Sequence, residues 1–289
     1  MANLRAIRTR IKSVENTRQI TKSMKMVAAA KLRKTQGAFQ KLREYADMSE
    51  KLLADAAAGL GPEIGNPYLQ PHAETKKTCY VLIVGNRGLC GTFNQALLRY
   101  CEGLVKNGET DATIITCGRW GKDLIAAAGL KIDQNFEISD TPTHEEALTV
   151  AEELKRRYRE GEADEIILVY QHFRTVLAQV PDSRRLLPLD GVRTGSAGRE
   201  TIYEPDRESI LNVLLDMYIG NTVHAVLLEA RTGEHSARMT AMTAAADNTE
   251  ELINELTLEL NHARQAAITT EISEIAGGAE ALRNSKAGG

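Results

Sequence analysis

The sequence predicts an α/β protein in which long helices bracket a central domain of alternating strands and helices. Helix-forming sequence with a hydrophobic seam runs over residues 4–58 and again from about 206 to 282. From Thr78 onward, by contrast, short apolar runs alternate with amphipathic stretches. Composition adds a third observation. Of 289 residues, 43% are hydrophobic but only 4% aromatic. Aromatic side chains supply much of the buried area of a thick globule, so this balance favours slim helical packing within one or two domains. At a rise of about 1.5 Å per residue the terminal helices would span on the order of 80 and 110 Å, the proportions of a shaft rather than a pocket.

In the first helix Ile7, Ile11, Val14, then Ile20, Met24 and Val27, then Leu32, Phe39 and Leu42 fall near helical spacing and predict its packing face. Gly59, Gly61 and Pro62, followed by Gly65, Pro67 and Pro71, end that helix. Residues 79–84 then read as a buried strand, 93–105 as an amphipathic helix and 112–116 as a second strand. A short helix around 123–128, a longer one over 144–158, and strands over 165–170 and 175–180 follow. This alternation predicts a mostly parallel sheet with helices on its faces. Residues 190–199, rich in Gly and polar side chains, read as a surface loop, giving divisions at 1–58, 75–200 and 206–289.

The last helix carries an apolar or small residue at alternating steps of three and four: Met239, Met242, Ala246, Thr249, Ile253, Leu256, Leu260, Ala263, Ala267 and Thr270. A seam sustained over about four heptads predicts a coiled coil. Gly220 and Gly233 lie inside this helix at a cost of about 1 kcal/mol each relative to Ala, which blurs its predicted start.

Charge is unevenly spread. Residues 1–43 hold twelve bases and one acid, a net +11 against −3 for the whole chain, so the remaining residues carry −14. A positive rod on an acidic body suits nucleic acid, an anionic membrane surface, an acidic protein collar, or simply a solvated helix face. The longest apolar run, Tyr80 to Val84, is far short of the about 20 residues that span a bilayer. The amino terminus lacks an apolar signal core, so a soluble chain is expected, cytosolic or the mature form of an organelle protein. Cys79, Cys90, Cys101 and Cys117 lie ten or more residues apart, away from histidines, and read as reduced, mostly buried thiols.

Catalytic and ligand-binding signals are sparse. Gly85, Gly88 and Gly91 follow a strand and precede a helix, the setting of a phosphate cradle. Their loop lacks the Lys and hydroxyl of a mononucleotide loop, and its spacing differs from the dinucleotide fingerprint. In Gly118-Arg-Trp-Gly-Lys122 the spacing is too short, and Asp123 stands where a magnesium-binding Ser or Thr would be needed. The six histidines never fall at a metal-ligand spacing, and no nucleophile elbow appears. No cofactor, metal or catalytic residue is therefore assigned.

Two signature-like segments stand at the ends: the opening stretch from Ile7 through Thr21-Lys-Ser-Met-Lys-Met-Val27 to Lys31, and a closing set of Ser236 to Met242, Leu256-Thr-Leu258, Asn261 to Thr269 and Glu274 to Ala279. They resemble the amino-terminal and carboxy-terminal signatures of the gamma subunit of F-type ATP synthases, the rotating central stalk of bacterial type. Arg87-Gly-Leu-Cys-Gly91 with Asn94, and Tyr203 to Asp206, resemble segments in the middle. His262 departs from an expected base, and Glu259-Leu260 from an apolar–aromatic pair. No closely spaced cysteine pair of the thiol-regulated chloroplast form is present.

The resemblance implies a long antiparallel coiled coil of the N- and C-terminal helices plus a central Rossmann-like α/β domain. It implies a non-catalytic rotor standing in the bore of a ring of alpha and beta subunits, where rotation couples ion flow through the membrane c ring to ATP synthesis or hydrolysis on the beta subunits. One copy per complex, peripheral on the cytoplasmic side of the cell membrane, would meet the ring through Met24, Lys25, Arg238, Arg264, Gln265 and Thr269. Its foot, including Tyr203, Glu204 and Asp206, would face the epsilon subunit and the c ring. For Asp206 a plain helix-starting role beside Pro205 is an equal reading. Met239, Met242, Ile253, Leu256 and Leu260 would hold the coiled coil. Nucleic acid is not an expected partner.

Overall fold

The computed structural model describes residues 2–58, 66–72, 75–108, 110–189, 203–204 and 206–287. The helix-ending glycines at 59, 61 and 65 and the expected loop over 190–199 lie outside them. Helix α1 spans Ala2–Ala58 and the last helix, α5, spans Arg207–Ala287. The chain divides into two units, one of Met1–Met26 with Ala241–Gly289 and one of Val27–Thr240.

The larger unit is built on a five-stranded sheet. Its elements are β1 (Lys77–Ile83), α2 (Phe93–Asn107), β2 (Asp111–Cys117), α3 (Gly121–Ala127), β3 (Ile132–Phe136), α4 (His144–Arg159), β4 (Glu165–Phe173) and β5 (Gln179–Leu187). Strand order is β3-β2-β1-β4-β5, parallel throughout except for β5, which runs antiparallel to β4. β1 has neighbours on both sides and helices on both faces, which is why it reads as a continuous apolar run. One face packs Tyr80, Leu82 and Val84 against Leu97, Cys101, Leu124 and Ile125 of α2 and α3. The other packs Val81, Ile83, Ile115 and Leu168 against Ala147, Val150 and Leu154 of α4 and against this unit's stretches of α1 and α5. There α5 contributes Leu211, Leu215, Ile219, Val223, Val226, Leu227 and Ala230. By length and mean hydropathy α5 could cross a membrane, but half of its most apolar window is buried in the chain's own core. All four cysteines are buried and free.

Local signals fix several helix ends. Thr143 accepts from the Glu146 amide while the Glu146 carboxylate accepts from the Thr143 amide, a capping box that starts α4 at His144. Gly220 and Gly233 do not interrupt α5. A Cβ at Gly220 would stand 2.9 Å from Leu148, and one at Gly233 would stand 3.2 Å from Phe93, so their small size admits neighbouring helices.

The structure departs from two expectations and adds one strand. Residues 175–178 form a turn, closed by Arg174 and Thr175 amides on the Ala178 carbonyl, and the strand begins only at Gln179. Pro181 and alternating polar residues disguise β5, as suits an edge strand. The other edge strand, β3, was not foreseen at all, because Ile132-Asp-Gln-Asn-Phe136 is mostly polar and only partly buried. On α1, Ile20 and Val27 are 59% and 57% exposed. Thr21 and Ala28 are the buried residues instead. They continue the three-and-four spacing from Ile7, Ile11 and Val14.

Candidate functional site

Two regions bear on function, one in each unit. In the larger unit the carboxyl ends of the strands meet the turn of α5 that carries Arg231, Glu234, His235 and Arg238. The loop after β1 reaches it through backbone groups. Glu234 Oε1 accepts from the amides of Asn86 (3.1 Å) and Arg87 (3.2 Å), and from Arg238 Nη2 (2.6 Å). Its Oε2 accepts from Arg231 Nη1 at 2.8 Å. Arg231, 1% exposed, also donates to the Val84 carbonyl (2.9 Å) and to Asn86 Oδ1 (2.9 Å). Arg238 donates to the carbonyls of Arg87 (2.9 Å) and Gly88 (3.2 Å). Asn94 Oδ1 accepts from the Gly85 amide, which fixes the entry to the same loop.

Asn86 carries the network outward. Its Nδ2 donates to the Ile138 carbonyl (2.7 Å) and to Asp140 (3.2 Å), and Asp140 in turn pairs with Lys31 of α1 at 2.5 Å. Helix α1, helix α5 and the sheet are thus tied through one chain of charge-assisted bonds. The glycine loop that the sequence offers as a phosphate cradle does hold an anion, and that anion is Glu234. None of the network except Arg238 was assigned in advance. The signal was present in the Arg231, Glu234, Arg238 spacing, which stacks one acid between two bases on one face of a helix.

Electrostatics follow this geometry. Burial pushes the Glu234 carboxyl up, but Arg231 and Arg238 outweigh it and hold it below its ordinary value. Asp140 behaves likewise: burial works upward and is overcome by Lys31, Asn86 and Arg87. For a carboxyl depressed in the folded state, the stabilisation is present above its unfolded pKa and is lost as pH falls through the folded one. Asp140→Asn is therefore expected to lower stability by about 1–2 kcal/mol at pH 7. The gap from the parent chain, read from urea midpoints, should narrow only below about pH 4. A gap that stays constant down to pH 3 would contradict the pairing.

In the smaller unit the residues of the expected seam differ in burial. Met242, Ala246 and Leu256 are buried, while Thr249, Ile253, Leu260, Ala263 and Ala267 are half-buried. Met239, half-buried, precedes them in the other unit. Thr270 is exposed and lies beyond the seam. Arg18 and Lys22 of α1 face Glu250 at 3.8 and 4.0 Å, surface contacts that add little to stability. From Ile268 to Ala279 every residue of α5 is exposed, Ile268, Ile272 and Ile275 included.

The residues expected to meet partners separate by burial. Lys25, Arg264, Gln265 and Thr269 are exposed and Met24 is half-buried. Arg238 is not at the surface as expected: it is buried, and its guanidinium is spent on Glu234 and the loop carbonyls, because a buried carboxylate needs that charge. Of the residues expected at a foot, Tyr203 packs on the core with the Arg207 guanidinium 4.6 Å from its ring centroid, and Glu204 is exposed. Asp206 accepts from the Ser209 amide (2.8 Å) and hydroxyl (2.7 Å), the helix-starting role of a capping carboxylate. Among the described residues no cluster of His, Cys, Asp or Glu could hold a metal ion.

A profile described as ATP synthase matches residues 3–282. The ATP synthase gamma chain of Moorella thermoacetica is 42% identical over 287 residues, covering 98% of this chain and 100% of its own length. That of Desulforamulus reducens is 43% identical over 285 residues, with the same coverage. In fold, the chain is similar to one from a Euglena gracilis mitochondrial ATP synthase assembly of OSCP, F1 and c-ring. The TM-score is 0.71 at 20% identity, covering 100% of this chain and 97% of that one. Similarity of this extent, running from the first turn of α1 to the last turns of α5, means that the chain belongs to the ATP synthase gamma chain family, a subunit of the ATP synthase complex.

Proposed function

We propose that this chain is the central rotor shaft of an F-type ATP synthase. It is non-catalytic and couples ion flow through the membrane c ring to ATP synthesis or hydrolysis on the beta subunits by turning inside the alpha/beta ring. The observation that carries this reading is the smaller unit: two paired helices with an exposed basic surface on α1, and a continuation of α5 with Ile268, Ile272 and Ile275 bare. Three isoleucines at steps of four and three on one exposed face call for a protein partner.

In this reading Met24, Lys25, Arg264, Gln265 and Thr269 meet the alpha and beta subunits, with Arg264 able to grip a carboxylate through two parallel hydrogen bonds. Tyr203, Glu204 and Asp206 belong to the foot that faces the epsilon subunit and the c ring, and Met239, Met242, Ile253, Leu256 and Leu260 hold the coil. An asymmetric shaft touches three equivalent beta subunits differently, so each orientation favours a different nucleotide state at each site. The complex is membrane-associated, and the chain is peripheral on the cytoplasmic face of the cell membrane, one copy per complex.

The test is to tag the chain at its native level, extract membranes in mild detergent, and identify by mass what co-purifies. Recovery of alpha, beta, epsilon and c subunits, with ATPase activity absent from the isolated chain, is the expected result. Recovery of the chain alone or with nucleic acid, or tight one-to-one ATP binding by the isolated chain in equilibrium dialysis, would overturn the proposal.

A further inference from the structure

β1 lies between β2 and β4, with the chain moving from β1 to β2 and β3 on one side before crossing back to β4 on the other. The carboxyl end of β1 is therefore a topological switch point, the position at which open parallel sheets form a crevice for ligands. Here the crevice holds the Arg231–Arg238 turn of α5. Four donors converge on the Glu234 carboxylate within it: two consecutive backbone amides, of Asn86 and Arg87, and the guanidiniums of Arg231 and Arg238. Consecutive amides with flanking guanidiniums make an oxyanion receptor, whatever the source of the oxyanion.

Two further details suit an anion site better than an ordinary helix–loop contact. Gly85 lets the carboxylate come close, since a Cβ there would stand 3.0 Å from Glu234 Cδ and 3.2 Å from Asn94 Oδ1. The buried Nε of Arg231 has no hydrogen-bond partner among the described residues, so the arginines offer more donors than a single carboxylate uses.

We propose that the loop after β1, with Arg231 and Arg238, is an oxyanion-binding site whose occupant is the chain's own Glu234, and that a small free carboxylate takes the same place once that side chain is shortened. In the intact chain the site is closed to external anions because a tethered carboxylate is always present at high effective concentration. The glycine loop is thereby turned from a ligand cradle into a socket that fastens α5 to the sheet.

Formate supplies the missing carboxylate without its stem, and the thermal midpoint of the full-length chain reports its binding. Glu234→Ala is expected to melt several degrees below the parent chain, and sodium formate should recover a substantial part of that loss where sodium chloride at equal ionic strength does not. The parent chain should show no difference between the two salts. Glu234→Gln, whose amide still fills the socket but carries no charge, should melt below the parent and remain insensitive to formate. If Glu234→Ala is recovered only as insoluble chain, the yield on refolding in formate against chloride becomes the readout, and a higher yield in formate is expected. Equal effects of the two salts on Glu234→Ala, in either readout, or a formate response in the parent chain, would overturn the proposal.

Discussion

Replacing Arg231 by Met is expected to destabilise the chain by about 3–5 kcal/mol, the usual consequence of removing one partner from a buried ion pair. The substitution keeps a long, flexible side chain in the space, so the loss reports the missing charge and donors rather than a large cavity. Four acceptors lose their guanidinium at once: the carbonyls of Val84 and Ile138, Asn86 Oδ1 and one oxygen of Glu234. The Glu234 carboxylate, as buried as its partner, is left with Arg238 and two amides. The effect would be read as a fall in urea midpoint at unchanged slope. Arg231→Lys should recover only part of it, because an ammonium cannot reproduce a planar fork that spans several acceptors. A midpoint within about 1 kcal/mol of the parent for Arg231→Met would show that the network is not what joins α5 to the sheet.

The second large effect is expected in the smaller unit. Leu256 is 4% exposed, in a unit whose only other described element is α1. Leu256→Asp removes a buried side chain of a kind worth about 2–5 kcal/mol when truncated, and adds a carboxylate with no designated partner. The paired helices should loosen there, seen as faster amide exchange across the seam and a lower melting midpoint. Leu258, two residues on, is 61% exposed and supplies the control. Leu258→Asp should stay within about 0.5 kcal/mol of the parent. Equal responses from the two positions would remove the seam as the source of stability.

The two effects divide along what could be read in advance. The seam is a local periodicity, and each of Met242, Ala246, Ile253, Leu256 and Leu260 lies at a buried or half-buried position. β1 and β4 were equally legible, because a strand covered on both faces must be apolar throughout. The edge strands were not. β3 is mostly polar and β5 contains Pro181, both tolerable only where one side of the strand is open. On α1 the large apolar residues misled: Ile20 and Val27 are exposed while Thr21 and Ala28 are buried, at positions seven apart in step with Ile7 and Val14.

Elements whose pattern repeats within a few turns follow from the order of residues alone: two long helices, a period of three and four along the last of them, and buried strands with helices between them. The role of the glycine loop follows from the folded arrangement instead. Asn86 and Glu234 are 148 residues apart. No local period records that a helix will lay its carboxylate on those amides, and the same loop with an empty socket would read identically. Burial made the choice: a carboxylate that deep is stable only where amides and guanidiniums already converge, and the fold brings them together at the carboxyl end of β1.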